Sequence, residues 1–543
     1  MQTPLSKSYL VLKNLEGYTL WEEGKSLPTN SECVYGPQGF MACQAFIAYK
    51  NNDVFQYFYD DRDVISQNIT APQIDIQVLK ENFKQSQIPQ GSQSIEDYAA
   101  YLIKDVFPFT INTGSPQFIG HMTSQLPYFH RDLSHWLISL NQNVVKIETS
   151  KVMTFLEREA LAMLHKRFYQ FDERFYSEHI QNNQSDLGMV VSGGTIANLS
   201  ALWVARNRAL TGIEKIGFLD AMAVNHYLGV KILVSPLLHY SIQKASSLLG
   251  IGMENIEQLS LLSDGQIDLV HLQQRIEQLQ KGKIKIIALI GIAGATETGS
   301  LDPLKVMGEM AKQYQIYFHV DASFGGPVVF SNRYRHLLDG IDSADSITVC
   351  GHKQLYLPIG ISMCLFRDPQ AMQAIAIQAD YQAMGNTFDF GKHSPEGTRP
   401  ANALYLHASL NILGESGYER LIDNGMQLAA YFKDCIKNID AFELLWEPQL
   451  NVINYRYIPK QYRTKCREIK LTAADNDAIN EVNVKLQRKQ FKDGKSFISM
   501  TSLPYLKGEG EVISLRAILS NPLTHYEHID AVIQEQLALG NAL

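Results

Sequence analysis

The 543-residue chain is short of most features that mark the simpler protein classes. It has only six cysteines (Cys33, Cys43, Cys350, Cys364, Cys435 and Cys466) and no C-x-x-C pair. A disulfide scaffold is excluded, and a reduced chain is expected. No apolar run approaches the roughly 18 to 20 residues needed to cross a bilayer. The N-terminus, MQTPLSKSYLVLKNLEG, carries neither a secretory hydrophobic region nor a small-residue cleavage site. A cytoplasmic location with no membrane partner is the expectation. There is no excess of positive charge. Forty-eight Lys and Arg stand against 56 Asp and Glu, a net charge of −8, so a general nucleic-acid binder is disfavoured. Neither an internal repeat nor a low-complexity tract is present. The nearest approach to G-x-G-x-x-G, GIGMEN at 250–255, follows a helical stretch and has no third glycine. That excludes a dinucleotide-binding turn. HYEH at 525–528 is the best paired-histidine candidate, but it reads as a solvated helix start, and no metal is expected.

What is present is a large core. Hydrophobic residues make up 45% and charged residues 19%, which rules out wholesale disorder. Residues 1 to about 95 read as an extension or arm, polar from 50 onward. From about 145 the pattern becomes regular. KVMTFLEREALAMLHKRFY (151–169) has helical spacing. Apolar runs then alternate with helical stretches: LGMVV (187–191), KILVS (231–235), IKIIALIG (284–291), IYFHV (316–320), SITV (346–349) and ISMCLF (361–366). The runs are apolar throughout, as in strands covered on both faces. The expected fold is α/β with a mostly parallel sheet. After about 400 come two long amphipathic helices, strand candidates LLWEP, VINYRYI, SFISM and VISLRAIL, and a closing helix HIDAVIQEQLALG. The expected division is an arm over 1–110, a large domain over 111–405 and an α+β small domain over 406–543.

Open α/β sheets gather ligands at the carboxyl ends of their strands. After LGMVV stands Ser192-Gly193-Gly194-Thr195, opening a helix. Such a turn lets backbone N–H groups approach an anion, although alone it is equally a strand–helix link with Thr195 as cap. Asp321 ends the next-but-two strand, and a carboxylate there needs a cation or a donor. Lys353 follows SITV and lies between two apolar strands, where an amine can act as an imine-forming nucleophile. His239 follows KILVS. A phosphate cradle, a carboxylate, an aromatic histidine and an imine lysine are together what pyridoxal 5′-phosphate requires.

VVSGGTIANLSAL, LLHYSIQKASSLLG, GATETGSLDP, HVDASFGG and SITVCGHKQLYLPIG stand in the order found in group II pyridoxal-phosphate-dependent amino-acid decarboxylases. The chain resembles that family over about 110–540. PQFIGHMTSQLPYF, NQNVVKIETSK, HKQLYLP and EGTRPANALYLHASLNILGESGYERLI are most similar to its bacterial aspartate 1-decarboxylase branch, close to the glutamate decarboxylases. The resemblance implies fold type I, a small amino-acid substrate and a homodimer with an N-terminal arm. It implies that Lys353 would form the Schiff base, Asp321 would pair with the pyridine nitrogen, and His239 would stack on the ring. Gly194, Thr195 and His352 would lie near the phosphate, Thr296 beside the cofactor, and position 323 under the ring. Arg516 would contact the substrate α-carboxylate. Arg399 matches another recurrent arginine, assigned to the substrate, with a structural salt bridge as the competing reading. His121 would line the entrance.

The implied reaction is loss of the α-carboxylate of aspartate or glutamate as CO2. Alternatives are an aromatic or diamino-acid decarboxylase and an oxidative, aldehyde-forming enzyme; the intact Lys353, Asp321 and His239 argue against a non-catalytic scaffold. The chain departs from the family pattern with Cys350 for Asp or Asn, Ser323 for alanine, and Met500 for arginine. The segment 383–396 lacks the tyrosine that several members use as proton donor. Phe388 stands near its place, and His393 or His239 is the substitute. His121, Gln125, Lys392 and His393 are candidates for the substrate side chain.

Overall fold

The computed structural model describes residues 9–14, 17–23, 25–28, 31–38, 40–51, 53–59, 70–262, 265–377 and 387–543. Part of the segment read as an arm forms a sheet. Strands β1 (Tyr9–Asn14), β2 (Gly17–Glu22) and β3 (Glu32–Gln38) lie antiparallel in the order β2-β1-β3. Val11 pairs with Leu20 and Asn14 with Gly17. Gly17 has φ +127°, a region open to glycine and costly for other residues. The alternation in YLVLKN and GYTLWE is the signal for this hairpin.

The centre is a seven-stranded sheet: β4 (Gly188–Val191), β5 (Gly229–Val234), β6 (Ile256–Gln258), β7 (Ile284–Ile292), β8 (Phe318–Asp321), β9 (Ser346–Cys350) and β10 (Ser362–Phe366). The order is β4-β10-β9-β8-β7-β5-β6. Strands β5 to β9 pair in parallel, and β10 runs antiparallel to both neighbours. Successive side chains of a strand point to opposite faces, and here both faces are covered. Leu233 and Leu289 join the core that includes Leu161, Leu164 and Phe168 of the helix Val152–Tyr169. Ile232, Val234 and Ile290 join the opposite core, with Leu202 and Ala205 of the helix Gly194–Ala209. This is why the strands read as unbroken apolar runs. Each such side chain contributes about 1.5–3 kcal/mol on burial.

The C-terminal sheet has the order β11-β12-β14-β13, from β11 (Phe442–Leu444), β12 (Val452–Tyr457), β13 (Ser499–Pro504) and β14 (Glu511–Ile518). Two expected strands are displaced. LLWEP is strand only at its start, because Leu445 and Trp446 turn into a separate cluster with Leu503 and Tyr505. SFISM becomes strand only from Ser499. The helices Gly414–Asn438, Ala473–Asp493 and Tyr526–Asn541 belong to this region. The second of these is opened by a capping box between Thr472 and Asp475, as in other helix starts. No described helix is long and apolar enough to cross a membrane.

Burial pushes six histidines down to about 4: His130, His165, His319, His352, His525 and His528. HYEH is a helix start whose Tyr526 and Glu527 are exposed, as expected, while His528 is buried and His525 partly so. The unfolded chain takes up protons at these histidines near the ordinary histidine value of about 6.5, while the folded chain refuses them. Stability is therefore complete above that value and is lost as pH falls from there toward 4. Denaturant midpoints measured across this range are expected to drop steadily; a flat profile would contradict the assignment.

Candidate active site

Three strand ends meet at one cavity. Strand β4 runs into Ser192 and Gly193, and the helix begins at Gly194. A Cβ on Gly194 would lie 2.7 Å from Cys350 Sγ, so the thiol fills the space that any larger residue would need. Strand β8 ends on Asp321, with Ser323 two residues on. Strand β9 ends on Cys350 and is followed by Gly351, His352 and Lys353. That turn is tightly held. Gly351 N–H donates to Ile361 O (2.9 Å), Leu357 N–H to Gly351 O (3.0 Å) and Tyr356 N–H to Lys353 O (3.1 Å). Tyr356 is buried at φ +56°, an unfavourable region for a bulky residue. Its hydroxyl donates to Ser520 O (2.9 Å), and its carbonyl accepts from His130 Nε2 (3.0 Å). Surrounding bonds over-determine the strained turn, as at functional sites generally.

The cavity, about 300 Å³, is lined by Gly194 and Thr195 from the helix, His239 after β5, and Thr296 after β7. Asp321, Ser323, Cys350, His352 and Lys353 complete this side; Arg516 of β14 and His121 close the other. A hydrogen-bonded chain runs beneath it. Asn198 Nδ2 donates to Asp321 Oδ2 (2.8 Å) and to Ser241 Oγ (2.9 Å). Both amide hydrogens are thereby engaged, so Asn198 Oδ1 accepts from His319 Nε2 (3.1 Å). His319 Nδ1 lies 2.8 Å from Ser346 Oγ. Ser323 donates twice to Asp321 Oδ1, from Oγ (2.5 Å) and from its N–H (3.1 Å).

These contacts decide the charges. Burial alone would raise the Asp321 carboxyl, but Ser323, His319, Lys353 and Asn198 outweigh it and hold it below the usual value. It is ionised at neutral pH. Burial lowers His239, with Lys353 and Lys244 assisting and Asp321 opposing. Ser241 N–H donates to His239 Nδ1 (3.2 Å), so the neutral ring carries its hydrogen on Nε2. His121 is likewise lowered by burial, Arg516 and Lys353, and accepts from Thr123 N–H at Nδ1 (3.2 Å). Arg516 donates to Thr296 O (2.6 Å) and Ser499 Oγ (3.0 Å). Glu297, one residue beyond Thr296, is raised by burial, against the pull of Arg516 and Lys353.

The structure does not bring Arg399 to the cavity. Its two terminal nitrogens are spent on buried Glu157, at 2.8 and 2.6 Å. Its assignment to the substrate is corrected: it ties 399 to the helix Val152–Tyr169. His393 Nδ1 contacts Asp186 Oδ2 at 3.0 Å, and Lys392 donates to Asn183 O at 3.0 Å; neither lines the cavity. Phe388 packs on Phe155 and Arg158, while positions 383–386 lie outside the described residues. Met500 is exposed and outside the lining. Gln125 lines a second cavity of about 390 Å³ that shares His352 with the first. Sequence reasoning missed Asn198, Ser241, His319 and Ser346. Asn198 and His319 stand in quoted motifs, SGGTIAN and HVDAS, and a buried polar residue flanking a motif was the available signal.

A mainly parallel sheet that brings a glycine-opened helix, a carboxylate and a lysine to one cavity from the ends of β4, β8 and β9 defines a fold type I enzyme that works with pyridoxal 5′-phosphate. The family model described as pyridoxal-dependent decarboxylase conserved domain matches residues 79–458, and the chain belongs to that family. It is 38% identical over 489 residues to aspartate 1-decarboxylase of Aliivibrio fischeri, covering 88% of this chain and 89% of that one. It is 28% identical over 368 residues to L-2,4-diaminobutyrate decarboxylase of Acinetobacter baumannii, covering 65% and 68%. The crystal structure of mouse CSAD superposes with a TM-score of 0.79 at 24% identity, covering 91% and 98%, and shares the fold. The protein is a pyridoxal-phosphate-dependent amino-acid decarboxylase, a carboxy-lyase. The residues fit the cofactor: Gly194 opens its helix at the cavity wall without a side chain, and Asp321 is ionised with one acceptor site unfilled.

Proposed function

We propose that the enzyme decarboxylates an acidic amino acid at Cα, aspartate to β-alanine or glutamate to GABA. The observation that carries this reading is the charge of the cavity wall. Lys353 and Arg516 face it, and among the described residues its only lining carboxylate is Asp321, already engaged by Ser323 and Asn198. Nearby Glu297 is biased toward its neutral form by burial. A second ammonium, as in a diamino acid, finds no carboxylate in the described lining beyond Asp321, which serves the cofactor, whereas a second carboxylate meets the N–H donor of neutral His121 at the entrance. The 38% identity to an aspartate 1-decarboxylase supports the same choice.

Bound pyridoxal phosphate supplies an electron sink for the pair left at Cα when CO2 departs. Lys353 carries the amine that would hold the cofactor aldehyde. Asp321 keeps a proton on the pyridine nitrogen. Gly194, Thr195 and His352 serve the phosphate. Thr296 sets the position of Arg516 through its carbonyl, and Arg516 orients the α-carboxylate. His239 would pack against the ring, and it holds a proton at Nε2 that would serve for return to Cα. His121, also neutral, offers an N–H donor at the entrance. Excluding water from this buried polar wall strengthens each contact.

The chain acts as a homodimer in this proposal. Exposed apolar side chains on 76–103 and on the helix Phe129–Leu140, among them Ile88, Ile95, Trp136 and Ile138, need a cover. Six free thiols suit a reducing, cytoplasmic setting. The test offers purified enzyme aspartate, glutamate, diaminobutyrate and tyrosine and follows CO2, amine, aldehyde and peroxide, with mass by light scattering. CO2 with β-alanine or GABA, from a dimer, is expected. Preferred turnover of diaminobutyrate or tyrosine, or aldehyde with peroxide, would overturn the substrate reading. Full activity as a monomer would overturn the dimer.

A further inference from the structure

Ser323 lies two residues beyond Asp321, and its hydroxyl has a specific partner. A carboxylate offers about four acceptor sites. On Asp321, Oδ1 is filled by Ser323 Oγ–H (2.5 Å) and Ser323 N–H (3.1 Å), and Oδ2 accepts one bond from Asn198 (2.8 Å). One site remains, on Oδ2. We propose that Ser323 is a positioning residue for the cofactor: its hydroxyl saturates Oδ1, so that Asp321 presents a single acceptor, on Oδ2, to the protonated pyridine nitrogen. This rests on the reading that Asp321 faces that nitrogen.

The arrangement sets both direction and acidity. Asn198 is itself fixed by Ser241 and by the His319–Ser346 pair, so Oδ2 cannot trade places with Oδ1 without breaking bonds at each end. The charged and titratable groups facing Asp321 are His319 on its own strand, Lys353 on the turn after β9 and His239 after β5. With alanine at 323, these remain, but Oδ1 loses its shortest donor. The carboxyl then titrates at higher pH. A carboxylate held low contributes above the ordinary value and is lost only as pH falls through its folded value; raising that value moves the loss upward.

The test measures the dissociation constant of pyridoxal phosphate from apoenzyme, by its visible absorption band, at about pH 8 and about pH 5.5. Ser323→Ala is expected to bind roughly tenfold more weakly at the higher pH, the size of one charge-assisted hydrogen bond, and no less weakly at the lower. Ser323→Thr, which keeps the hydroxyl, is expected to restore the wild-type profile. Wild-type affinity in Ser323→Ala, a loss confined to the lower pH, or no rescue by threonine would overturn the proposal. Asp321→Asn separates the two levels: if it binds as tightly as wild type, the pairing of Asp321 with the ring nitrogen fails, whatever Ser323 does.

Discussion

Lys353→Ala is expected to abolish turnover, by at least about a thousandfold, and to remove the visible band of the bound cofactor. Lys353 is the only lysine that lines the cavity among the described residues, and the turn that presents it is fixed by three backbone bonds and by Tyr356. No neighbouring amine is placed to substitute. The fold is expected to survive, because the substitution removes a side chain at a cavity wall rather than from the core. Thermal unfolding of the cofactor-free variant should match wild-type apoprotein within a few degrees. Retained turnover in Lys353→Ala would move the chemistry elsewhere.

Glu157→Ala is expected to cost about 3–5 kcal/mol of stability, with activity lost through unfolding. Glu157 is completely buried and Arg399 almost so; the pair is bidentate. Removing the carboxylate strands a guanidinium in a region where Arg399 also lies over the Phe390 ring and its backbone N–H donates to Asn143. Such a loss is a large part of the 5–15 kcal/mol that typically holds a fold together. Replacing both partners by apolar residues of similar size, as in Glu157→Leu with Arg399→Met, is expected to recover much of it. Chemical denaturation of the three proteins decides this. Wild-type stability in Glu157→Ala with selective loss of turnover would instead return Arg399 to the active site.

The central sheet was legible because its strands are buried on both faces, and fully apolar runs such as IKIIALIG have no other economical reading. The site was legible where chemistry sits at strand ends: Gly194, Thr195, Asp321, Lys353 and His239 were found from that rule, and His352, Thr296, Arg516 and His121 from resemblance. All of them line one cavity. What escaped was tertiary. Arg399 stands in a motif, but only the fold shows Glu157 beneath it. The helix Ala473–Asp493 is polar over most of its surface, so its period is weak although its capping box is written in the sequence. The N-terminal sheet rests on short alternating strands that the polar stretch after residue 50 obscured. Asn198 and His319 carry no chemistry themselves, and their role exists only through hydrogen bonds across three elements.

The most direct measurement is reduction of the holoenzyme with borohydride, followed by peptide mapping. Reduction fixes the cofactor to whichever lysine holds it. The account predicts one phosphopyridoxyl group per chain, on Lys353. Labelling of any other lysine, or none with active enzyme in hand, would contradict it.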